Sequence, residues 1–386
     1  MIDRYRNDEA CDIWSDIKKY NIWSDIEIRY ISNILDKEHD RVIVSSSDII
    51  NILEIESIKK HDVASFVEWL ENKLSNDGNV YSRYVHFGLT SSDIVDTWLS
   101  ISIKRTDNLI DYLCSNLIKS INTLCTDGAM PGRTHGKIAE HITIHDKFYS
   151  YINILNDIKG KILLHKYPGR LKGPVGDKKH IKEFFPNFDE IKVLDELGCC
   201  DGSYFINGQI ISRAYHASII SDWALLSTYI EKIATDMRIL SMDGIYEVSE
   251  GFSSGQVGSS SMPHKKNPIG FENICGISRM VRSYVNVAME NIVLWNERDI
   301  SHSSSERIMF PDIANLLCYQ LVKLNDLMKS LVMHHDTINF HINDSCNIMS
   351  SHRELLDKIH KGESRAKSHL EGRMKHGPQN NSYRRP

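Results

Sequence analysis

Seven apolar residues, Ile219, Trp223, Leu226, Ile230, Ile233, Met237 and Leu240, recur at alternating spacings of four and three. That period marks the seam of a long helix packed lengthwise against others. Similar seams run through Ile110, Leu113, Leu117, Ile121 and Leu124, through Ile274, Ile277, Val281, Tyr284 and Ala288, and through Leu317, Leu321, Leu324, Met328 and Leu331. Seams of this kind predict a long-helix bundle. At 1.5 Å rise per residue, a run of about thirty residues spans roughly 45 Å. Helices that long extend beyond one compact subunit, so oligomerisation is expected. No convincing strand alternation occurs anywhere in the chain.

The remaining chain is arranged around the seams. Its first ninety or so residues read as short amphipathic helices, with core stripes at Trp14, Ile17, Trp23, Ile26 and Ile28 and at Val63, Phe66, Val67 and Leu70. A helix from Ile94 to Leu124 stops at Asp127-Gly128. The stretch Met130–Gly136 reads as a tight loop, followed by a helix from Ile138 to about His165. Residues 167–202 form a connection, with a turn at Gly173-Pro174-Val175-Gly176. The expected divisions are an N-terminal helical domain over 1–93, the bundle with its loop over 94–345, and a C-terminal helical domain and tail over 346–386, short by comparison with the family resembled below. The polar tail from His376 is expected to be partly disordered.

Composition excludes several classes. A formal net charge of -5 and 25% charged residues give no nucleic-acid surface. The eight cysteines show no CxxC and no metal-ligand spacing, and Cys199 and Cys200 are adjacent. Reduced thiols are the simplest account. The charged N-terminus carries no apolar signal region, and no apolar run reaches the length of a membrane span. A soluble, unexported, cytoplasmic protein is expected, with no membrane partner.

Chemistry concentrates between Gly251 and Asn273, which read GFSSGQVGSSSMPHKKNPIGFEN. Asn267 is a good N-cap and Pro268 suits a first helical turn, so the loop delivers serines and lysines to a helix N-terminus. Such a terminus favours a carboxylate or phosphate. No Walker spacing is present. Other local features are Arg4-Tyr5, His61-Asp62-Val63, Thr90-Ser91-Ser92-Asp93, the His135 loop between Gly132 and Gly136, and the polar stretch Trp295–Arg307. Each has a plain reading on its own. Arg4 would be a surface charge, His61-Asp62 a helix start, Thr90 with Asp93 a capping box, and 295–307 a solvated loop. Glycines beside His135 would let backbone and ligand approach it closely.

The string from Gly258 to Pro268 resembles the signature of the fumarase/aspartase superfamily, Gly-Ser-Ser-x-Met-Pro-x-Lys-x-Asn-Pro. Together with Arg4-Tyr5, His61-Asp62-Val63, Thr90–Asp93, Gly132–Gly136 and Glu297–Ser303, all in the same order, it resembles the adenylosuccinate lyase branch, from Met1 to about Arg365. The resemblance implies a three-domain all-α fold and a homotetramer whose active sites each take residues from three subunits. It implies two β-eliminations, of adenylosuccinate to AMP and fumarate and of SAICAR to AICAR and fumarate, with no metal or organic cofactor.

Position in the family motif gives Ser259 as the base, with Ser260 the alternative if the alignment slips by one residue. His135 would be the general acid. Lys265 and Asn267 would hold the succinyl carboxylates, and Glu272 would orient a histidine. His61, Asp62, Thr90 and Ser91 would fix substrate groups. Arg4, Tyr5, Arg298, Ser303 and Arg307 would grip the nucleotide phosphate and base, and Gln209 the substrate's polar edge. The chain departs from the family at His141, where proline is usual, at Ala214, where aspartate is usual, and in its short C-terminus, where the expected helices do not clearly follow Lys361–Arg365. Two other readings remain: a lyase releasing fumarate from argininosuccinate or aspartate, and a non-catalytic scaffold relative.

Overall fold

The structure is a computed structural model that describes residues 2–376. The partial disorder expected of the tail concerns residues 377–386, which lie outside the described residues. The long helices are α1 (Asp16–Ile34), α2 (Ser46–Lys59), α3 (Asp62–Asn76), α4 (Ser91–Asn122), α5 (Ile144–Leu163), α6 (Arg213–Leu240), α7 (Ile269–Glu290) and α8 (Ser301–Lys329). They are followed by α9 (His335–Met349), α10 (Ser351–His360) and α11 (Arg365–His376). The described residues form two compact units: 2–115, 157–230 and 276–322 in the first, and 116–156, 231–275 and 323–376 in the second. No described helix is long and apolar enough to cross a membrane. All eight cysteines are free.

In the first unit, local signals start the N-terminal helices. Ser15 accepts from the Lys18 amide, Ser45 and Asp48 form a reciprocal capping box, and His61 Nδ1 accepts from the Ala64 amide at 3.2 Å. The predicted stripes then meet. Tyr20 stacks on Phe66, and Trp23 meets the same ring edge-on at 5.5 Å between centroids. All three are buried, as are Ile26, Ile28, Val63 and Leu70. Each such side chain contributes about 1.5–3 kcal/mol by leaving water. Farther along, a buried polar triple ties three helices. Ser227 of α6 donates to Gln320 Oε1 of α8 at 2.7 Å, and Gln320 Nε2 donates to Ser278 of α7 at 2.7 Å. These bonds fix the register of helices whose apolar seams could otherwise slide.

The seams are where the sequence puts them. Ile219, Trp223, Leu226, Ile230, Ile233 and Met237 are at most 1% exposed and Leu240 6%. The turn at 173–176 is also present, with Gly173 and Gly176 at φ +75° and +80°.

Three expectations are corrected. The second unit contains an antiparallel hairpin of β1 (Ala129–Thr134) and β2 (Lys137–Thr143), so the following helix starts at Ile144, not Ile138. Neither strand alternates cleanly between inside and outside, and a register shift between Pro131 and Arg133 breaks the period of two. A two-residue turn, His135 at φ +54° and Gly136 at φ +72°, joins them. Gly132 serves the strand pair: a Cβ there would meet the Glu140 carbonyl oxygen and Ile142 Cγ2, each at 2.9 Å. The stretch read as a loop over 295–307 is a loop only to Ile300, because Asp299 accepts from the Ser301 amide and α8 begins at Ser301. Finally, a helix does follow Lys361–Arg365, at Arg365–His376.

Candidate active site

The first unit holds a cleft of about 390 Å³ lined by His61, Asp62, Ser91, Arg298, Ser303 and Arg307, together with Tyr20, Trp98, Asp96, His302 and Glu306. Six predicted residues from three distant stretches of sequence are thus brought together. Their positions follow from helix ends. His61 caps α3, Asp62 opens it, and Ser91 opens α4, while Ser303 and Arg307 lie in the first two turns of α8. Arg307 Nη2 donates to Asp62 Oδ2 at 2.6 Å, joining the two helix starts.

Arg298 is held by two side chains. Its Nη1 donates to Gln209 Oε1 at 3.1 Å and its Nε to His302 Nε2 at 3.4 Å. Burial, and after it the nearby Arg213, lower its pKa against the opposing pull of Asp96. Gln209 does not line the cleft. It donates from Nε2 to the Pro174 carbonyl and holds Arg298.

Beneath the cleft lies a buried charge network. Arg213 donates to both oxygens of Asp96 at 2.9 Å, and its Nε and Nη2 donate to Glu306 at 2.8 and 3.0 Å. Glu306 also takes His302 Nδ1 at 2.8 Å. Carboxylates only accept, so His302 carries its hydrogen on Nδ1 and leaves Nε2 to accept from Arg298. Burial opposes charge on Asp96, Arg213 and Glu306. Arg213 nevertheless holds Asp96 below and Glu306 well below the usual carboxylate range.

Arg4, Tyr5 and Thr90 do not line this cleft. Arg4 is exposed, and Tyr5 packs edge-on against Tyr319 at 5.5 Å. The Thr90 amide donates to Asp93 Oδ2 at 2.8 Å, the return half of the expected capping box. Asp93 is fully buried and also accepts from the amides of Lys172 and Gly173. Burial raises its pKa despite Arg170 and those amides.

The second unit carries the other predicted residues. His135 sits exposed at the hairpin tip, and its ring makes no hydrogen bond or ion pair among the described residues. The signature loop folds on itself. Ser259 Oγ accepts from the Met262 amide at 3.2 Å, the Lys265 amide donates to the Met262 carbonyl at 3.0 Å, and Asn267 Nδ2 donates to the Gly258 carbonyl at 3.0 Å. The Ser259 hydroxyl donates to no partner among the described residues, and the Lys265 ammonium is exposed and unpartnered among them. Asn267 is not the helix cap expected of it, because α7 begins at Ile269 and its amide group closes the loop instead. A side chain added at Gly258 would collide with the Lys265 carbonyl oxygen at 2.5 Å, so only glycine closes the loop this tightly. Glu272 is half exposed, 3.9 Å from Arg238, with no histidine hydrogen-bonded to it among the described residues.

Residues 30–283 match the family model described as "Lyase". The chain is 35% identical to the adenylosuccinate lyase of Aquifex aeolicus over 381 residues, covering 95% of this chain and 85% of that one. It is also 35% identical to the adenylosuccinate lyase of Staphylococcus saprophyticus, with the same coverage.

The chain belongs to the lyase family.

Solved structures give the fold of this lyase again. A fumarate lyase from Mesorhizobium sp. superposes with a TM-score of 0.80 at 17% identity, covering 97% of this chain and 87% of that one. A 3-carboxy-cis,cis-muconate lactonizing enzyme from Pseudomonas putida gives 0.80 at 17% identity, with 96% and 85% covered.

Sequence reasoning missed the lyase's buried network of Asp96, Arg213, His302 and Glu306. A signal existed: His302 and Glu306 are four apart at the start of a helix, and Asp93 and Asp96 three apart on another. Acidic residues so placed share one helix face. Nothing in that spacing names Arg213 as their partner.

Proposed function

We propose that this chain catalyses the reactions of the adenylosuccinate lyases it matches. It is a carbon–nitrogen lyase. The non-hydrolytic eliminations are of fumarate from adenylosuccinate, leaving AMP, and from SAICAR, leaving AICAR, steps that belong to purine nucleotide synthesis. The observation that carries the reading is the match to curated adenylosuccinate lyases across 95% of the chain. The geometry agrees with the chemistry such an elimination needs.

In this reading the Ser259 hydroxyl first gives its proton to solvent, and the alkoxide so formed takes the proton from the carbon next to a succinyl carboxylate. The electron pair left on carbon spreads into the carboxylate, where the Lys265 ammonium meets the added negative charge. The carbon–nitrogen bond then breaks as a double bond forms, and His135 delivers a proton to the departing nitrogen. Asn267 shapes the loop that carries both Ser259 and Lys265. Arg298, Arg307, Ser303 and His61 hold the nucleotide in the cleft, with guanidinium groups suited to a phosphate. Arg4, Tyr5, Thr90, Ser91, Asp62, Gln209 and Glu272 complete the proposed site, and Gln209 acts through Arg298. The proposal extends to a cytoplasmic homotetramer with shared active sites and to the three-part domain division at residues 93 and 345.

Purified protein mixed with adenylosuccinate, followed by fumarate release, tests the reaction. Fumarate with equimolar AMP is expected. Release from argininosuccinate with none from adenylosuccinate would overturn the substrate, and sedimentation of a monomer would overturn the tetramer.

A further inference from the structure

The hairpin that carries His135 is anchored by groups to which the proposed reaction gives no part. Arg133, two residues before His135 on β1, forms a bidentate pair with Glu247: Nη1 donates to Oε2 at 2.8 Å and Nη2 to Oε1 at 2.6 Å. The Glu247 side chain is completely buried. Its Oε1 also accepts from His341 Nδ1 at 2.9 Å. The Glu247 backbone is fixed as well, its amide donating to Leu240 and its carbonyl accepting from the His334 amide, both at 2.9 Å. On the opposite strand Glu140 accepts from His352 Nδ1 at 2.6 Å. His341 lies on α9, which packs against both strands, and His352 on α10.

A two-point guanidinium–carboxylate pair fixes direction as well as distance. His135 has no side-chain partner of its own among the described residues, so the path of β1 into the turn decides where its imidazole points. That path is set at Arg133.

We propose that Glu247 is a positioning residue for His135, acting through Arg133, and that His341 of α9 completes this anchor. The proposal rests on the reading of His135 as the general acid. Misplacement of a reacting group by about 1 Å costs on the order of a hundredfold in rate.

The test is Glu247→Gln in the full chain, which keeps the shape and removes one acceptor. Expected is a fall in kcat for fumarate release of about ten- to a hundredfold with KM little changed. In a His135→Ala background the same substitution should reduce residual turnover no further, because its effect passes through the missing imidazole. Amide hydrogen exchange should quicken across residues 130–142. Arg133→Lys, which keeps the charge and loses the fork, should reproduce all three results and stands in if Glu247→Gln does not fold. Unchanged kcat, an undiminished further loss without His135, or unchanged hairpin exchange would each overturn the proposal. If the unsubstituted protein releases no fumarate, the reading of the reaction fails, while the exchange measurement still decides whether Glu247 holds the hairpin.

Discussion

The cleft of the first unit and the loop and hairpin of the second solve opposite problems. In the cleft, the cations are already spoken for: Arg298 is held by Gln209 and His302, Arg307 by Asp62, and Arg213 beneath them by two buried carboxylates. In the second unit His135 and Lys265 have no side-chain partners among the described residues, and Ser259 only accepts. A binding surface gains from groups fixed before the ligand arrives, because less freedom is lost on binding. Groups that move protons must remain free to change partners. Order in the second unit is put into the backbone, through Asn267 to Gly258 and Arg133 to Glu247, and withheld from the side chains proposed to react.

That contrast can be broken by substitutions with opposite signatures. Ser259→Ala and His135→Ala should each lower turnover by about 10²–10⁴-fold, while urea unfolding shifts by no more than about 0.5 kcal/mol. A large stability loss would mean that the two side chains are structural after all. Arg213→Met should behave the other way. It leaves Asp96 and Glu306 buried without their cation, and unfolding should show a loss of about 3–5 kcal/mol. A loss below about 1 kcal/mol would show that the network can relax or admit water.

Arg307→Ala separates binding from stability within the cleft. Its pair with Asp62 is short but the Arg307 side chain is 58% exposed. Stability should fall by less than about 1 kcal/mol, whereas KM for adenylosuccinate should rise by roughly tenfold with kcat nearly kept. A fall in kcat at unchanged KM would move Arg307 from holding substrate to stabilising the transition state.

The smallest effect concerns pH. His165 is clamped between Asp107 Oδ2 at 2.9 Å and Asp222 Oδ2 at 3.0 Å. Burial disfavours its charge, yet the hydrogen bonds and charges of the two carboxylates outweigh burial and raise its pKa above the usual 6.5. A folded-state value above the unfolded one gives stability that is complete below about pH 6.5 and is lost as pH rises through the folded value. Unfolding followed across that window should show the decline, and His165→Asn should flatten it. A His165 contribution that grows with pH would reverse the assignment.

Much of this was legible beforehand because it depends on local pattern. The seam from Ile219 to Leu240 names the buried face of α6 residue by residue, and a long exact motif carries the family. The hairpin was not legible. Its strands are short and break the alternation at Pro131, and its turn residues, His135 and Gly136, also read as a ligand-facing loop. Asn267 illustrates a subtler miss: its side chain suits a helix cap or a loop closure equally, and only the path of the chain brings the Gly258 carbonyl to it.

By itself, then, the sequence determined the long helices, their buried faces, the family and the residue types available for a β-elimination. These follow from periodicity and from a contiguous string, both of which survive in one dimension. Tertiary structure alone decided which charges neutralise one another. Arg213 lies 117 residues from Asp96 and 93 from Glu306, and Arg133 lies 114 from Glu247. A buried charge needs its partner within hydrogen-bond reach, and separations of that size carry no trace of such a meeting until the helices have packed.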